Sequence, residues 1–522
     1  MQQLKWVRNA AGREVPLEID GRHYRPYAGA FVSSPEAGKR RVGPQLGTIL
    51  HPGESCLVSS LKEAIERTNL RDGMTVSFHH HFRDGDRVLN MVMQEIADMG
   101  FRDLTVAPSS LFPVHEPLID HIKNGVVTCI EGGSVRGGVG RAISRGLMER
   151  PIIIRSHGGR VRAIESGDLH IDATFIGAPC ADVIGNCNGV KGPSACGPLA
   201  YAQADAIYSE KTVAVTDHLE DTPVIPISIS QEYVGTVVQV DKIGDPSKIA
   251  SDTLRITRDP IRLRIAKDAV RVIEASDSFH DGMTFQTGAG GISLAVTKFL
   301  GERMAERGIV ASFGMGGTTQ YLVTLLEKGI IRKILTIQAF DQYAITSLLK
   351  DVNHIEVSAG FYANPHNRGT AVNLLDVVVL GATEIDVNFN VNVNTHSDGV
   401  LQYPTGGHAD TAAGAKLTVI TAPLIRDRIP VVVDDVVVVS TPGETVDVVV
   451  TDYGIAVNPL RQDLIERLKV ARVPIKTIEE LRDLAYHITG KPQPPQFTDK
   501  IVALLEYRDG TLIDVLREVK PG

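Results

Sequence analysis

The sequence contains an internal duplication, and this feature constrains the fold more than any other. Asp72-Gly-Met-Thr recurs as Asp281-Gly-Met-Thr, 209 residues later. Three further segments recur in the same order at offsets of 204 or 205 residues, beginning at Ile122 and Leu326, at Gly177 and Gly381, and at Lys211 and Lys416. Chance would not preserve both the order and the offset, so the matches indicate two copies of one ancestral domain.

Each half predicts an α/β structure. In the first half, residues 74–78 form a predicted strand, and residues 86–98 form a helix whose apolar side chains recur every three or four positions. The second half repeats this plan with a strand at 283–286, a glycine-rich turn and a helix. The β-branched runs that begin at Asp376 and Val431 predict strands covered on both faces. We therefore expect two tandem α/β domains with mixed or parallel sheets flanked by helices.

The duplication also predicts the domain boundaries. We assign residues 1–45 to an N-terminal arm, 46–255 to the first domain, 256–470 to the second, and 471–522 to a C-terminal helix and hairpin tail. Thr477 and Glu480 form a capping box at the start of that helix. Asp509-Gly510 lies between two alternating runs and predicts a hairpin turn. These ends show no obvious chemistry, so we expect them to be accessories.

The composition is that of a globular enzyme and excludes several classes. Hydrophobic residues make up 43% and charged residues 22% of the chain, which excludes a disordered or fibrous protein. No apolar run approaches the roughly 18 residues that cross a bilayer, and no secretory signal is visible, so we expect a cytoplasmic protein. The net charge of −8 predicts no binding to nucleic acid or membrane, and an anionic substrate would need a local cationic pocket.

The five cysteines do not suggest a disulfide framework. Cys180, Cys187 and Cys196 are separated by six and eight residues, a wider spacing than the two to four residues of common zinc sites. A zinc site there stays an open alternative, but buried or loop cysteines are the favoured interpretation. We predict no metal.

Two glycine clusters in the second half follow predicted strands. Gly288-Ala-Gly-Gly opens a helix, where backbone amides can face a phosphate or an oxyanion. Ser293 replaces the last glycine of G-x-G-x-x-G, so the dinucleotide-binding motif is absent. The second cluster, Gly314-Met-Gly-Gly, follows the next strand, and strand ends of one sheet can converge on a ligand. The alternative is a pair of plain tight turns.

Cationic and imidazole side chains follow strands of the first half. In His79-His80-His81 the outer two side chains are expected on one side and His80 on the other, if the strand continues. With Arg83 nearby, the run predicts a pocket for carboxylates, with a metal site and a structural role as alternatives. Arginines on two later loops suit planar carboxylates as well, although most loop arginines are merely solvated.

These features resemble the coenzyme A transferases. The resemblance lies in the duplicated halves, in Phe285-Gln-Thr-Gly-Ala-Gly-Gly-Ile-Ser and in Gly406-Gly-His-Ala-Asp410. Three further motifs look specifically like the citrate lyase alpha chain family: Ser77-Phe-His-His-His-Phe-Arg83, Ser134-Val-Arg-Gly-Gly-Val-Gly-Arg141 and Arg155-Ser-His-Gly-Gly-Arg160. The resemblance covers nearly the whole chain.

This resemblance implies an acyl transfer. Citrate would take the acyl-carrier thiol from an acetyl thioester, giving a citryl thioester and acetate. The thioester would be acetyl-CoA or the CoA-like group of an acyl carrier protein, the gamma chain, and the enzyme would need no cofactor of its own. A beta chain would then cleave the citryl thioester, and the assembly would be oligomeric.

One departure from the wider superfamily concerns the nucleophile. Many coenzyme A transferases carry a reactive glutamate just before a helix that ends in Gly-Val-Ile, whereas the corresponding residues 311–320 contain no acid. This argues for direct attack by citrate through a mixed anhydride. The alternatives are an acetyl-CoA hydrolase, an ordinary CoA-transferase acting on another acid such as citramalate, and a non-catalytic sensor, for which no DNA-binding segment is evident.

The expected site residues fall into three groups. The oxyanion hole is expected at Gly290, Gly291, Gly316 and Gly317. Citrate is expected to contact His79, His80, His81, Arg83, Arg136, Arg155, His157 and Arg160. The CoA portion is expected to contact Gly288, Gly406, Gly407, His408 and Asp410.

Overall fold

The computed structural model describes residues 4–32, 42–44, 50–250 and 255–520, which form two large, mainly parallel sheets flanked by helices. The ten-stranded first sheet has the order Leu512–Val519, Phe497–Glu506, Ile152–Ile154, Val127–Gly132, Leu104–Pro108, Thr75–Phe78, Ala173–Gly177, Lys211–Thr216, Thr236–Gln239, Leu57–Val58. The eight-stranded second sheet has the order His354–Glu356, Ile334–Ala339, Phe313–Thr318, Thr284–Thr287, Val377–Gly381, Leu417–Thr421, Val448–Thr451, Gly454–Val457.

The helices follow the strands along both halves. Their bounds are Leu61–Arg67, Val88–Asp98, Leu118–Lys123, Gly137–Ser144, His157–Ser166, Ala202–Tyr208, Pro260–Ala275, Gly291–Arg307, Gln320–Glu327, Gln342–Lys350, Ala359–Ala363, His408–Gly414, Gln462–Val470 and Ile478–Thr489. Within the described ranges, none of these helices combines the length and apolarity that a membrane span requires.

Short strands form the remaining small sheets of the described residues. The pairs are Trp6–Arg8 with Glu14–Pro16, Glu18–Ile19 with Arg22–His23, Cys180–Ala181 with Cys187–Asn188, and Ile425–Arg426 with Ile429–Pro430. A three-stranded sheet contains Val391–Asn392, Glu384–Asp386 and Val432–Val433.

The duplication is visible in the sheet topology. Seven parallel strands follow the same order in both sheets. The leading strand, Thr75–Phe78 or Thr284–Thr287, lies between the second and fifth strands of the seven along the chain. The fifth strands are Ala173–Gly177 and Val377–Gly381. The strand order thus reverses beside each leading strand, and parallel α/β sheets bind ligands at the carboxyl ends of the strands at such a point.

The elements predicted at the start of each half are present. The expected strand and helix of the first half are Thr75–Phe78 and Val88–Asp98, and Leu89, Val92, Met93 and Ile96 face the core. Their counterparts in the second half are Thr284–Thr287 and Gly291–Arg307. The valine-rich runs are the strands Val377–Gly381 and Val432–Val433. The two-domain α/β expectation is confirmed.

The C-terminal hairpin is part of the first sheet rather than an accessory. Phe497–Glu506 pairs in parallel with Ile152–Ile154, and Leu504 and Leu505 are buried against the sheet. The predicted turn at Asp509-Gly510 and the capping box of Thr477 with Glu480 are both present. The expectation that the tail is an accessory is therefore wrong for Phe497–Val519, because long-range pairing makes this hairpin one edge of the first sheet. The domain boundaries themselves stay a prediction.

The two halves meet at the carboxyl ends of their strands. Gln338, near the end of Ile334–Ala339, donates from Nε2 to the backbone oxygen of His80 at 3.1 Å. Asp410 of the second half accepts from Ser156 Oγ at 2.8 Å and from the Gly158 amide at 2.9 Å. The loops of the second half therefore lie directly against the histidine and arginine loops of the first.

Candidate active site

The three histidines follow Thr75–Phe78 and point as predicted. The rings of His79 and His81 are parallel, with centroids 6.2 Å apart and an interplanar angle of 3°, whereas His80 packs against Tyr201 at 4.3 Å. All three are buried. The run therefore separates into a pair on one side and a single imidazole on the other.

The pair is held by protein groups. His81 Nε2 lies 2.8 Å from the backbone oxygen of Gly177, and burial together with His79 lowers the pKa of His81 to about 4. His79 Nε2 lies 3.3 Å from Asp205 Oδ1. His79 Nδ1, His79 Nε2 and His81 Nδ1 are buried without a hydrogen-bond partner among the described residues, so contact of this pair with citrate stays a prediction. Neither imidazole belongs to the cluster that contains His80.

Arg160 forms a buried bidentate pair with Asp205. Its Nη1 and Nη2 atoms donate to the two carboxylate oxygens at 2.8 and 2.6 Å, and all of these groups are buried. Burial alone would raise the pKa of Asp205, but Arg160 and His79 hold it below its usual value. Because the bidentate pair uses the Nη1 and Nη2 edge of the guanidinium, we assign Arg160 to positioning of Asp205 and His79.

Arg155 is also consumed by carboxylates. Its Nε lies 2.6 Å from Glu506 Oε2 and its Nη1 lies 2.9 Å from Glu131 Oε2, with the Arg155 side chain completely buried. Burial disfavours the charge, but these two acids outweigh it and raise the pKa of Arg155 above its usual value. The N–H groups of Arg155 therefore face these two carboxylates, and the structure does not support the expected contact of Arg155 with citrate.

His80, His157 and Tyr201 form one buried cluster. The His80 and His157 ring centroids are 5.6 Å apart, and the Tyr201 hydroxyl lies 3.2 Å from His157 Nε2. Burial and then Arg136 lower the pKa of His157 to about 3, and burial and His157 lower the pKa of His80 as well. Both imidazoles are neutral at pH 7 and can exchange hydrogen bonds with a ligand without adding charge.

Arg83 and Arg136 are different, because neither forms an ion pair with any described residue. Both guanidiniums stack on Phe112, with Cζ at 5.4 and 4.2 Å from the ring centroid. The buried Arg136 Nε has no hydrogen-bond partner in the described part of the chain, and burial and Arg83 lower the pKa of Arg136 to about 9. Two partly buried cations that form no ion pair, with Asp84 as the nearby carboxylate, predict an anionic ligand.

The backbone of Arg83 supports this interpretation. Its φ angle is 56°, in the left-handed region that non-glycine residues seldom adopt. Such strain costs on the order of 1–3 kcal/mol and is found at functional sites more often than elsewhere. The second half also contributes, because Phe340 lies under the Arg83 guanidinium at 4.7 Å.

The four glycines expected in the oxyanion hole divide between two places. Gly317 packs directly on Phe340, and Gly316, with φ of 102°, packs on the Gln286 side chain. This pair therefore adjoins the arginines. Gly290 and Gly291 instead line a separate cavity of about 180 Å³.

The Gly406–Asp410 loop supports His157. The His157 amide donates to the Gly406 oxygen at 2.9 Å, and Gly407 packs on the hydroxyl of Tyr362. His408 Nδ1 lies 2.7 Å from Thr441 Oγ1, and His408 Nε2 lies 2.9 Å from the Gly381 oxygen. Burial lowers the pKa of His408 to about 4. His408 and Asp410 thus serve the scaffold with their side chains, while the glycines lie closest to the cluster.

The region where superfamily members carry a glutamate has no carboxylate among the described residues. Gly288 and Gly317 line a small cavity there with Gln286, and its other lining residues are Phe285, Thr287, Ala289, Leu294, Thr297, Met315, Thr319 and Leu322. Gln286 Nε2 donates to the Tyr362 hydroxyl at 3.0 Å. The wall offers amide and hydroxyl donors and no nucleophile.

The cysteines of the first half do not share one ligand set among the described residues. Of these cysteines, Cys180 lies near two other potential metal ligands, His218 and Glu220. Glu220 is already paired with Lys191 at 2.8 Å, and burial raises the pKa of the Cys180 thiol to about 12. A protonated thiol is a poor metal ligand.

Sequence reasoning missed the aromatic and amide components of the cluster. Phe112 and Tyr201 lie in loops after strands of the first sheet, and Gln338, Phe340 and Tyr362 belong to the second half. Phe112 and Phe340 closely follow strands, which was a usable signal, whereas Gln338 lies within a strand and Tyr362 within a helix.

Comparison with known proteins shows the family of the chain. The family model described as citrate lyase, alpha subunit, matches residues 54–519. A citrate lyase alpha chain of Klebsiella pneumoniae is 52% identical over 487 residues, which cover 93% of this chain and 96% of the relative. A Haemophilus influenzae citrate lyase alpha chain is 53% identical over 464 residues, covering 89% of this chain and 93% of the relative.

Solved structures show the same relation. The alpha subunit of citrate lyase from Streptococcus mutans, crystallised in complex with citrate, superposes with a TM-score of 0.95 at 51% identity, covering 98% of this chain and 100% of that one. A malonate decarboxylase alpha subunit from Acinetobacter baumannii has a TM-score of 0.62 at 15% identity over 82% of this chain and 86% of that one, which shows a shared fold alone. The chain belongs to the citrate lyase alpha subunit family.

Proposed function

We propose that this chain transfers the acyl-carrier thiol from an acetyl thioester to citrate, yielding a citryl thioester and acetate. The observation that carries the proposal is the pair Arg83 and Arg136, two desolvated guanidiniums stacked on Phe112 without an ion-pair partner among the described residues. A tricarboxylate supplies the missing charge and can accept donors in the plane of each guanidinium. The neutral His80 and His157 add hydrogen-bonding groups beside them.

The reaction needs no nucleophile from the protein. A carboxylate oxygen of citrate attacks the acetyl carbonyl carbon, and the carbon–sulfur bond breaks to give a citryl–acetyl anhydride and a thiolate. The thiolate then attacks the citryl carbonyl, and the anhydride carbon–oxygen bond breaks to release acetate. Proximity and orientation can account for roughly 7–11 kcal/mol of such a barrier.

The protein's contribution is position and electrostatics. Arg83 and Arg136 hold the carboxylates that do not react, and the stacking on Phe112 fixes the two guanidiniums before citrate arrives. We place the oxyanion donors at Gly316 and Gly317, beside Phe340, rather than at Gly290 and Gly291. A well-placed donor of this kind is worth about 3–4 kcal/mol.

The proposed substrate and partners follow from the family. The thioester is acetyl-CoA or the CoA-like prosthetic group of an acyl carrier gamma chain, and a beta chain cleaves the citryl thioester. We propose that the chain works in an oligomeric complex with these two, and that it needs no cofactor of its own. A cytoplasmic location stays a prediction from the sequence.

Acetate release from acetyl-CoA by the purified chain tests this function. We expect release to require citrate, and citramalate serves as the competing acceptor. A hydrolase would release acetate without an acceptor, and a glutamyl-enzyme mechanism would yield a covalent adduct with hydroxylamine. Either result would contradict the proposal.

The arginine pair is tested by Arg83→Ala. The substitution removes charge-assisted hydrogen bonds worth about 1.5–3 kcal/mol, so kcat/KM for citrate should fall at least tenfold. Arg87→Ala is the matched control, because Arg87 is exposed four residues further along the chain. Equal kcat/KM values for the wild type and Arg83→Ala would remove Arg83 from the site.

A further inference from the structure

A second cationic cavity lies at the start of helix Gly291–Arg307, apart from the arginine pair that the proposed function uses. It has a volume of about 180 Å³, and Gly290, Gly291 and Ser293 form one wall. Arg262 and Arg426 line it as well. The remaining lining residues are Ile292, Gly381, Ala382, Thr421 and Pro423, so the described lining contains no acid.

The helix end supplies the first attraction for an anion. Gly291–Arg307 has 17 residues, and its N-cap, Gly290, has no side chain that accepts from the first amides. A Cβ at Gly290 would meet no atom within 4 Å, so the turn faces open space. The free amides and the positive end of the helix dipole favour a negatively charged ligand there.

A second, independent observation is the Ser293 hydroxyl. Ser293 is 3% exposed, lines the cavity, and makes no side-chain hydrogen bond to the part of the chain that the structure describes. Buried hydroxyls are rarely left without a partner, and an acceptor in the cavity would satisfy this one.

The two arginines supply the charge. Arg426 uses Nη2 to donate to the Ala382 oxygen at 2.8 Å and forms no ion pair with a described residue. Burial lowers the pKa of Arg426 and Arg262 lowers it further, whereas Tyr403 and Asp427 oppose this shift. Arg262 is half exposed, and its Nε lies 3.6 Å from Asp259 Oδ2. Asp259 also caps the helix of Arg262, because its Oδ1 accepts from the Ile261 amide. Arg426 therefore brings to the cavity a positive charge without an ion-pair partner among the described residues, whereas Arg262 shares its charge with Asp259.

We propose that this cavity binds a phosphate group of the thioester substrate, namely of the nucleotide end of its CoA-like arm. The proposal rests on the proposed function. The glycine turn 288–291 links the two places, because Gly288 lines the small cavity with Gln286 and Gly317 while Gly290 and Gly291 line this one. If the thioester carbon lies beside Gly317, the turn therefore connects that position with the cavity that Arg426 lines.

The test compares acetyl-CoA with S-acetylpantetheine, which carries the same thioester and no phosphate. The measured quantity is kcat/KM for acetyl-CoA divided by kcat/KM for S-acetylpantetheine. We expect Arg426→Ala to lower this ratio at least tenfold and Arg262→Ala to lower it at least threefold. Arg264→Ala is the matched control, because this arginine lies on the helix of Arg262, is 71% exposed and does not line the cavity. An unchanged ratio in Arg426→Ala would overturn the proposal, whether kcat/KM stays constant or falls equally with both thioesters.

Calorimetric binding of CoA separates this proposal from the proposed function. We expect Arg426→Ala to weaken CoA binding at least tenfold and pantetheine binding not at all, and this readout requires no turnover. If the wild type binds CoA in this way but releases no acetate, the proposed function fails and the phosphate site stands. If inorganic pyrophosphate binds the cavity while the CoA affinity is insensitive to Arg426→Ala, the site serves a free anion and the proposal is overturned.

Discussion

At the residue scale, the buried imidazoles connect the chemistry of the site to its stability. His157 lies between Tyr201 and the Gly406 loop, and burial lowers its pKa to about 3. An unfolded chain would hold the same imidazole near 6.5. Between these values the unfolded state binds more protons, so the contribution of His157 to stability is complete above pH 6.5 and is lost as the pH falls toward 3.

This linkage predicts the pH dependence of His157→Asn. Between pH 6 and 4, the free energy of unfolding of the wild type should fall by about 1.4 kcal/mol per pH unit more than that of the variant. Urea denaturation at a series of pH values measures the difference. His23→Asn serves as the control, since the His23 side chain is 80% exposed. Parallel pH profiles for the wild type and His157→Asn would contradict the buried, neutral state.

The arginines show how far residue-level prediction from sequence reaches. Arg83, Arg136, Arg155 and Arg160 belong to similar glycine- or histidine-rich motifs, and all four were expected to bind citrate, but Arg160 lies in helix His157–Ser166 rather than in a loop. The structure distinguishes them by their partners: Glu506 lies 351 positions from Arg155, and Asp205 lies 45 positions from Arg160. Spacing and residue type identified the cations, but only the tertiary fold determines which of them keep a free face.

At the element scale, local pattern predicted the strands and helices well, whereas it missed the place of the C-terminal hairpin. The alternating runs and the Asp509-Gly510 turn are local signals. The pairing of Phe497–Glu506 with Ile152–Ile154 is a long-range choice, and no short segment encodes it. The hairpin places Glu506 under Arg155 and brings Arg508 to the backbone oxygen of Asp410 at 3.2 Å. It thereby supports the loops on both sides of His157.

The hairpin's role predicts the effect of Glu506→Gln. The substitution leaves the buried Arg155 with Glu131 as its remaining carboxylate within the described chain. Breaking a buried pair costs about 3–5 kcal/mol, and since Glu131 remains, we expect a loss near 3 kcal/mol in the free energy of unfolding. Denaturant titration measures it. Asp499→Asn is the matched control on the same strand, where the residue is exposed, and equal losses in the two variants would refute the structural role of Glu506.

At the scale of the whole molecule, duplication has given the two halves different tasks. The equivalent strand ends carry His79–His81, followed by Arg83, in the first half and Gly288–Gly291 in the second, so the pair Arg83 and Arg136 belongs to one half and the glycine turn to the other. The repeat itself was readable from four short matches. The packing of one half against the other could not be predicted, because it depends on contacts such as that of Gln338 with His80, which are 258 positions apart. A substrate between the halves therefore meets both kinds of group only in the assembled chain.

Phe340 tests whether that assembly matters for citrate. It belongs to the second half and lies 4.7 Å beneath the Arg83 guanidinium of the first, where a desolvated cation–π contact is worth about 1–2 kcal/mol. Phe340→Leu keeps an apolar side chain but removes the ring face, so kcat/KM for citrate should fall roughly five- to thirty-fold while kcat/KM for acetyl-CoA at saturating citrate changes less. Phe361→Leu, at an exposed position of the same half, provides the baseline. If Phe340→Leu matches that baseline, Arg83 is oriented by the first half alone, and the second half contributes only the thioester side of the reaction.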